Sequence, residues 1–409
     1  MYGLETNELM VFKENNKAFV LDKISHNNFR LSTNLELNNI IEHPNLKKTI
    51  NKFRGKPYGN SNECITTVFL SITDVCNFHC YYCSAQCNDY KNNKNYQMDY
   101  FQYVEKVIPF LRHIKPKKII VTGGEPCLHP DFDRIIIQLK ERVCSKILIQ
   151  TNGYYLWDRM KIVSKHVDSV NISCNAYFEN GVSLEKLSFL GVGDCKKYTL
   201  SYVVNENNRS KLIDFVSYAA IRNLKILVNF MTPLGNAAML NDIVIPDEER
   251  ALIYKDIANK VIEYPYANMT ADFFQNYLEY RDHCGAAKEK IAIMANGQVY
   301  LCQCMSEQSN YIGNIFYDEI EEIAQNHKKL TNSIFVWNLF NVDADQKCNK
   351  CLYRYFCGGL CYAVRFYNKK PMYSCKFNKK MIRYLMFYKI QDPMENLKRM
   401  SEYLEKHED

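Results

Sequence analysis

The chain has 409 residues, of which 47% are hydrophobic and 24% charged, with 15 Gly and 11 Pro. This composition is typical of a globular protein and argues against long disordered segments. The net charge of +7 is too small and too dispersed to indicate a nucleic-acid partner by itself. No apolar stretch of about 18 residues occurs, and residues 1–16 lack the features of a signal peptide, so we expect a cytoplasmic protein without a membrane partner.

Seventeen cysteines are the unusual feature of this composition. Cytoplasmic thiols stay reduced and an odd number cannot pair fully, so clustered cysteines indicate metal binding. Isolated cysteines are expected instead to be small buried hydrophobic residues. These are Cys64, Cys87, Cys127, Cys144, Cys174 and Cys195.

Residues 1–63 are expected to form a small α+β unit. The apolar pattern predicts two strands, around Leu9–Phe12 and Ala18–Leu21, and helices near Leu35–Ile41 and Leu46–Phe53. Residues 54–62 are rich in Gly, Pro and Asn, which favour turns and mark a domain boundary.

Residues 64–233 alternate strand-length apolar runs with segments of helical period, which is typical of repeated βα units. Parallel strands joined by right-handed crossovers predict an α/β fold, a partial six-unit barrel of the TIM type. In such folds the chemistry lies at the carboxyl ends of the strands. The six strands are predicted near 65–73, 118–122, 146–150, 169–173, 197–204 and 225–231.

A cysteine-rich loop follows the first of these strands. Cys76, Cys80 and Cys83 are spaced C-x3-C-x2-C. Three thiolates on one loop can hold three irons of a [4Fe–4S] cluster and leave the fourth iron open to a small molecule. The alternative is a zinc site or three unrelated thiols, because thiolates also suit zinc.

The next two strand ends weaken that alternative. One carries Gly123, Gly124 and Glu125, where glycine permits close backbone approach and the carboxylate can accept hydrogen bonds from an ammonium group. The other carries the turn Gln-Thr-Asn-Gly at residues 150–153. These motifs together predict a site for a cluster and a small ligand at this edge.

With these motifs, residues 65–233 resemble the radical S-adenosylmethionine (radical SAM) superfamily, whose signature is the C-x3-C-x2-C loop. The resemblance implies that Cys76, Cys80 and Cys83 hold a [4Fe–4S] cluster, whose open iron binds the amine and carboxylate of S-adenosylmethionine. It also implies five cofactor contacts: Tyr82 beside the adenine, Gly123, Gly124 and Glu125 at the methionyl ammonium, and Ser173 at the ribose or carboxylate. Residues 174–176 depart from the commoner Asp-Gly continuation.

A cluster of this kind can pass one electron into the sulfonium, which releases a 5′-deoxyadenosyl radical that abstracts hydrogen from an unactivated carbon. The resemblance therefore implies an oxidoreductase that uses an electron donor such as ferredoxin or flavodoxin. The barrel would exclude oxygen and water. No residue can be assigned as the general base from the sequence.

Residues 234–283 contain no cysteine and predict a helical linker, with a helix start at Pro246. Residues 381–409 predict C-terminal helices divided by Pro393. Between these two regions lies a second cysteine-rich segment.

The second segment has the spacing C-x12-G-x4-C, then C-x2-C-x5-C-x3-C, then C. Residues 284–380 thereby resemble the SPASM extension of radical SAM enzymes, which carries two auxiliary [4Fe–4S] clusters. The resemblance implies three clusters in the whole chain. It assigns Cys348, Cys351, Cys357 and Cys375 to one auxiliary cluster, and to the other Cys284, Cys302 and Cys361.

That assignment leaves the last cluster one ligand short. Cys304 could complete it, or the iron could be open to a substrate thiolate, or Cys304 could be inert. Residues 341–383 contain ten Lys and Arg against two Asp. This charge is consistent with buried anionic clusters, and equally with a solvated basic face or a surface for a leader peptide.

SPASM enzymes mostly modify peptides and proteins, and the N-terminal unit bears on the choice among them. It resembles the small leader-peptide-recognition domain, similar to the PqqD family, in which an edge strand can pair with a peptide; the alternative is a capping element on the barrel. The leading hypothesis is maturation of a ribosomally made precursor peptide by a thioether or C–C crosslink. The alternatives are an anaerobic sulfatase-maturing enzyme that forms formylglycine, and a non-catalytic metal-binding scaffold.

Overall fold

The computed structural model describes residues 1–54, 65–86, 96–190, 197–271, 278–359, 361–367 and 375–407. The predicted boundary between the first two domains lies outside these residues, and so do Cys64, Cys87 and Cys195. Helices and strands are numbered separately, in chain order.

The N-terminal unit is a four-stranded antiparallel sheet whose strands lie side by side in chain order. The strands are β1 (Tyr2–Glu5), β2 (Leu9–Glu14), β3 (Lys17–Asp22) and β4 (Asn28–Ser32), followed by α1 (Leu37–Glu42) and α2 (Pro44–Arg54). The two predicted strands are β2 and β3, and both predicted helices are confirmed. The sequence did not reveal β1 and β4, because these edge strands have few apolar residues and are partly exposed.

Both faces of this sheet are buried, since successive side chains of a strand point to opposite sides. One face packs against α1 and α2 through Leu9, Val11 and Val20, which contact Ile40 and Ile50. The other face packs against the second cysteine-rich segment; its apolar cluster comprises Met10, Phe12, Phe19, Leu21, Val342, Tyr355, Phe356, Ile382, Met386 and Phe387. The N-terminal unit is therefore fixed to that segment.

Six parallel strands form the wall of the partial barrel and confirm the six predicted strands. They are β5 (Thr67–Ser71), β6 (Lys118–Thr122), β7 (Lys146–Thr151), β8 (Ser169–Ser173), β9 (Tyr198–Val204) and β10 (Lys225–Phe230). Neighbouring strands in the sheet are consecutive in the chain. Their carboxyl ends consequently meet at one edge.

Helices cover the outer face of this wall. They are α3 (Tyr100–Gln102), a π-helical segment (Tyr103–Val107), α4 (Ile108–Ile114), α5 (Phe132–Arg142), α6 (Met160–His166), α7 (Asn175–Glu179) and α8 (Leu212–Ile221). In α5, Phe132, Ile135, Ile136 and Leu139 are completely buried. This is the spacing of one helix face, so α5 is held by packing on the sheet.

Three strands that the sequence analysis did not predict extend the barrel sheet at its other edge. They are β11 (Lys290–Ile293), β12 (Gln298–Tyr300) and β13 (Tyr311–Asn314). β11 pairs parallel with β5, from Lys290 opposite Thr67 to Ile293 opposite Leu70. One nine-stranded sheet thus joins the barrel to the second cysteine-rich segment.

The remaining helices are α9 (Asp247–Ile262), α10 (Asn268–Ala271), α11 (Ile320–Thr331), α12 (Ile334–Phe340), α13 (Arg354–Cys357), α14 (Tyr362–Tyr367), α15 (Cys375–Phe387) and α16 (Pro393–Lys406). α9 begins directly after Pro246, as predicted. Pro393 is the first residue of α16, where its missing N–H costs nothing. Among the described residues, no helix has the length and apolar character needed to cross a bilayer.

Candidate functional site

A cavity of ≈ 390 Å³ lies at the carboxyl ends of the barrel strands. It brings together most of the residues that the sequence predicted for the cluster and its cofactor. Those that line it are Cys76, Tyr82, Cys80, Cys83, Gly123, Gly124 and Ser173. Glu125 is not among the lining residues.

The three thiols of the loop after β5 lie close enough to affect one another. Burial raises the pKa of Cys76 to about 12, and charge on Cys80 and Cys83 adds to the rise. The backbone N–H of Phe78 donates a 3.4 Å hydrogen bond to the Cys76 sulfur and opposes the rise. The loop therefore presents three neighbouring sulfurs to one cavity.

The two glycines after β6 are required by the cysteine loop itself. A Cβ on Gly124 would lie 2.2 Å from the carbonyl oxygen of Val75, and one on Gly123, whose φ is +144°, would lie 2.2 Å from that of Thr73. The N–H of Gly124 donates to the Thr73 oxygen at 2.7 Å. The two glycines were expected to permit close approach of a ligand, whereas the structure shows the backbone of the cysteine loop against them.

Glu125 is completely buried and holds the turn after β7. Its Oε1 accepts a 2.6 Å hydrogen bond from the Thr151 hydroxyl and a 3.0 Å bond from the Cys127 N–H, and its Oε2 accepts a 2.6 Å bond from the Asn152 N–H. Burial raises the pKa of Glu125, and these three donors oppose that rise. The predicted contact with an ammonium group stays a prediction.

Two asparagines that the sequence analysis did not assign support the cysteine loop. The side-chain amide of Asn152 donates to Oδ1 of Asn77 at 2.8 Å, beside Cys76. From the turn after β10, the backbone N–H of Asn236 donates to the Cys83 oxygen at 3.0 Å and its side chain donates to the Cys80 oxygen at 3.2 Å. In the sequence, each of these asparagines is recognisable by its place beside a Gly in the loop that follows a predicted strand.

The interior wall of the cavity is almost uncharged. Below the cysteine loop it carries the amides of Gln150, Asn171 and Asn229, one from each of β7, β8 and β10. Asp74 is the only charged side chain among the described lining residues. This wall offers hydrogen bonds to a neutral ligand, and the strand pattern alone did not identify it.

The four cysteines assigned to one auxiliary cluster surround a second cavity of ≈ 60 Å³. They are Cys348, Cys351, Cys357 and Cys375. Burial raises the pKa of Cys348 to about 12, and Asp345, Cys357 and Cys375 add to the rise. Lys347 and Lys379 also line this cavity, so cations accompany the thiols.

The remaining set also comes together. Loss of water around the thiol raises the pKa of Cys361, and charge on Cys302 and Cys284 adds to this rise. The backbone N–H of Cys304 donates to the Cys302 sulfur at 3.4 Å. Cys304 itself lines the barrel cavity. It thus lies between the barrel cavity and the Cys302 set.

These donors fit iron–sulfur clusters, because thiolates in sets of three and four are the usual ligands of such clusters. Within the described ranges, no three His, Cys, Asp or Glu side chains are placed to hold a single metal ion. Cys76, Cys80 and Cys83 would hold a cluster in the barrel cavity. Such a cluster, with S-adenosylmethionine, supplies one-electron reductive cleavage of the sulfonium.

The isolated thiols differ from one another. Cys127 and Cys174 are buried, as predicted, but Cys144 is exposed. The prediction for Cys144 is therefore wrong, since that residue lies in the turn between α5 and β7, where no apolar layer covers it.

Comparisons with known proteins match two regions of the chain. Residues 70–225 match the radical SAM superfamily, and residues 284–352 match the iron–sulfur cluster-binding SPASM domain. The chain is 30% identical over 233 residues to a Methanocaldococcus jannaschii protein named "Putative glycyl-radical enzyme activating enzyme", covering 53% of this chain and 87% of that protein. It is 23% identical to the GTP 3′,8-cyclase of Staphylococcus carnosus, covering 51% of this chain and 66% of the cyclase.

Two solved structures share the fold over most of the chain. One is anSMEcpe with bound AdoMet, with a TM-score of 0.58 and 16% identity, covering 82% of this chain and 99% of that one. The other is Streptococcus suis SuiB bound to its precursor peptide SuiA, with a TM-score of 0.54 and 13% identity, covering 91% of this chain and 98% of SuiB. The motifs, the cavities and these matches agree, and the chain belongs to the radical SAM superfamily and carries a C-terminal SPASM domain.

Proposed function

We propose that this radical SAM enzyme modifies a ribosomally made precursor peptide and installs a crosslink such as a thioether or a C–C bond. It would use three [4Fe–4S] clusters, one at the barrel cavity and two in the SPASM domain. Ferredoxin or flavodoxin would supply the electrons. The leader of the precursor would bind at the N-terminal sheet.

The edge position of β4, which among the described strands pairs with β3 alone, is the observation that carries the peptide assignment. Two backbone hydrogen bonds show which residues of β4 face β3. The Thr33 N–H donates to the Asn16 oxygen, and the Asp22 N–H donates to the Asn27 oxygen. In an antiparallel pair this pattern alternates, so the backbone groups of Asn28, Arg30 and Ser32 point away from β3. Among the described residues, no backbone group pairs with the outward N–H and C=O groups of these three residues. An extended peptide could pair with this edge.

The opposite edge is less suited to a peptide. A Cβ on Gly3 in β1 would lie 3.0 Å from the side chain of Leu352. In addition, Arg354 pairs with Glu5 of β1 at 2.6 Å. The SPASM domain thus lies against β1, whereas the contacts of β4 with neighbouring segments come from the side chains of Asn28 and Arg30, so β4 is the edge proposed for the peptide.

The barrel cavity also favours a peptide over a nucleoside triphosphate. Its described lining residues include no Lys or Arg side chain that could pair with phosphates. Amides and hydroxyls, in contrast, can hydrogen-bond a peptide backbone. The likeness to SuiB, which was solved with its precursor peptide, supports the same substrate class.

The edge-strand assignment can be tested with two variants of one residue. Arg30 donates a 2.6 Å hydrogen bond to the Leu385 oxygen, and both Arg30→Ala and Arg30→Pro lose it. Only Arg30→Pro also loses the outward N–H. With fluorescently labelled peptides encoded in neighbouring reading frames, we expect Arg30→Pro to bind its peptide at least about tenfold more weakly than Arg30→Ala.

Modification is tested by incubating the reduced enzyme with those peptides and measuring their masses. The proposal predicts a loss of two hydrogens and a new crosslink in the tandem mass spectrum. S-adenosylmethionine cleavage with every peptide left unmodified would contradict it. Equal affinity of the two Arg30 variants would contradict only the role of β4.

The second candidate is sulfatase maturation, and the likeness to anSMEcpe favours it. In that case a Cys-containing sulfatase peptide would gain an aldehyde that reacts with a hydrazine probe. A non-catalytic scaffold, the third hypothesis, would bind iron or zinc but would not cleave S-adenosylmethionine. These outcomes separate the three hypotheses.

A further inference from the structure

Two side chains of α14, which begins directly after Cys361, carry unpaired polar atoms. Tyr362 is 1% exposed, and the guanidinium of Arg365 lies 4.8 Å from the centroid of its ring. The two residues are three positions apart, so they occupy the same face of the helix. The buried Tyr362 ring thus packs against the Arg365 side chain, which is 16% exposed.

Each of these side chains has a buried donor atom without an acceptor. Among the described residues, neither Oη of Tyr362 nor Nη1 of Arg365 has a hydrogen-bond partner. Native proteins rarely leave such groups unpaired, and a redox role or a missing bound group is one explanation for those that remain. Nη1 of Arg365 can only donate and the Tyr362 hydroxyl can donate, so one acceptor group would satisfy both atoms.

The surroundings place the acceptor on the side of the four-cysteine cavity. A Cβ on Gly359 would lie 2.6 Å from Oη of Tyr362, and Gly359 lines that cavity. The hydroxyl of Tyr362 therefore lies beside the backbone that lines the four-cysteine cavity.

Arg365 is tied to the same cavity. Its Nη2 pairs with Oδ2 of Asp345 at 2.8 Å. Oδ1 of Asp345 accepts a 2.7 Å hydrogen bond from the backbone N–H of Cys348, one of the four cysteines. This chain fixes the guanidinium relative to Cys348.

We propose that the Tyr362 hydroxyl and Nη1 of Arg365 donate hydrogen bonds to sulfur atoms of the iron–sulfur cluster held by Cys348, Cys351, Cys357 and Cys375. Hydrogen bonds to cluster sulfurs stabilise the more negative, reduced form and so raise the reduction potential. Tyr362 and Arg365 thereby determine how readily this cluster takes an electron relative to its neighbour at Cys284 and Cys302.

The test is an anaerobic redox titration followed by electron paramagnetic resonance. We expect Tyr362→Phe, which removes only the hydroxyl, to shift one auxiliary midpoint to a more negative potential at unchanged iron content. Electron–nuclear double resonance in H₂O and D₂O measures the exchangeable protons near that cluster. In Tyr362→Phe, the signal of one such proton should disappear. Arg365→Lys, which keeps the charge but not the fork of donors, should shift the same midpoint in the same direction.

Tyr103→Phe is the matched control. Tyr103 is completely buried in the barrel, and its hydroxyl donates to the Ile135 oxygen at 3.1 Å, in the packing of the outer helices. The control should leave every midpoint unchanged.

The inference rests on the proposal that the SPASM domain holds two clusters. Iron and sulfide analysis of the wild-type protein tests that proposal separately, and iron for a single cluster would overturn both. In cluster-replete Tyr362→Phe, unchanged midpoints together with unchanged proton couplings would overturn this inference alone.

Discussion

The hydroxyl of Thr151 donates a 2.6 Å hydrogen bond to Oε1 of Glu125 and joins the turns after β7 and β6. The same carboxylate receives the backbone N–H of Asn152, whose side chain bonds to the cysteine loop through Asn77. A single buried carboxylate therefore holds three loops in place around the cavity through hydrogen bonds. This role is independent of any contact with a ligand.

Glu125→Gln should weaken S-adenosylmethionine binding without removing the barrel cluster. The side-chain NH₂ of the new Gln would face a hydrogen-bond donor that now donates to a Glu125 oxygen. The lost hydrogen bond would destabilise the turn by about 1–3 kcal/mol. Equilibrium binding of S-adenosylmethionine to anaerobic protein measures the effect. Thr151→Val removes only one of the three donors and should have a smaller effect, and unchanged affinity in Glu125→Gln would contradict this role.

Anaerobically reconstituted protein should contain about 12 iron atoms per chain, from three four-iron clusters. Replacement of Cys76, Cys80 and Cys83 together by Ala should remove about one third of that iron, because the two SPASM sets are separate from the barrel loop. Iron and zinc are measured by mass spectrometry. About 4 iron atoms with bound zinc in the wild type would refute the assignment of the SPASM clusters.

Cys80→Ala should abolish cleavage of S-adenosylmethionine to methionine and 5′-deoxyadenosine while the fold is retained. The variant lacks one of the three sulfurs that line the cavity, and the cluster would lose a ligand there. Chromatography of the dithionite-reduced reaction measures the products, and circular dichroism measures the fold. Cys144→Ala, which alters an exposed thiol outside all three sets, is the control. Normal cleavage by Cys80→Ala would disprove the assignment.

Cys304→Ala should leave the electron paramagnetic resonance of the cluster at Cys302 unchanged in substrate-free enzyme. Cys304 lines the barrel cavity, which favours the open-iron alternative over ligation by this thiol. A Cys-containing peptide should then shift the signal by binding to the open iron. Cys302→Ala should remove the signal. A substrate-free spectrum that changes in Cys304→Ala, with the other clusters intact, would show that Cys304 is a ligand.

Removal of Arg383 should loosen the N-terminal sheet. Arg383 pairs with Glu14 at 2.9 Å, and Tyr388 also donates to this carboxylate, whose side chain is only 7% exposed. Arg383→Met would leave a buried charge short of partners, at about 1.5–3 kcal/mol. Hydrogen–deuterium exchange of β2 and β3 measures the loss. Lys47→Ala, which breaks an exposed pair with Glu42, should change stability by less than about 1 kcal/mol.

The stability from this ion pair should depend on pH in one direction. Burial opposes ionisation of Glu14, but hydrogen bonds from Arg383 and Tyr388 outweigh it, so its pKa is lowered. The contribution is therefore complete above the ordinary Glu pKa of about 4.3 and is lost as pH falls through the lower folded value. In Arg383→Met, burial without the Arg383 hydrogen bond should raise the pKa of Glu14, so the exchange difference should shrink as pH falls from that higher value to the lower wild-type value. A difference that stays constant throughout the acidic range would contradict this account.

The features that the sequence predicted are those that depend on residues close together in the chain. The six barrel strands were found because each is a short apolar run between helical segments, and the cysteine sets because ligand spacing is visible in the chain. The pairing of β11 with β5 joins residues more than two hundred positions apart and leaves no local pattern. The orphaned donors of Tyr362 and Arg365 were also hidden, since burial and missing partners appear only in three dimensions.

Glu125 shows a subtler limit. Its position after two glycines predicted a cofactor contact, but the sequence could not show that Thr151, Asn152 and Cys127 already donate hydrogen bonds to its oxygens. The glycines were likewise recognised as a close approach, and only the structure shows that the approaching group is backbone of the cysteine loop.

The hydrogen-bonded junction of β11 with β5 has a consequence for how the molecule can be divided. The Cys76 loop follows β5, and Cys284 and Cys302 lie on either side of the β11–β12 hairpin, so the two kinds of cluster site share a single rigid ladder. A barrel expressed alone would expose the edge of β5, and exposed edge strands promote aggregation. In the whole chain, the hydrogen bonds between β5 and β11 set the distance between the two regions, so we expect it to stay the same when a substrate binds.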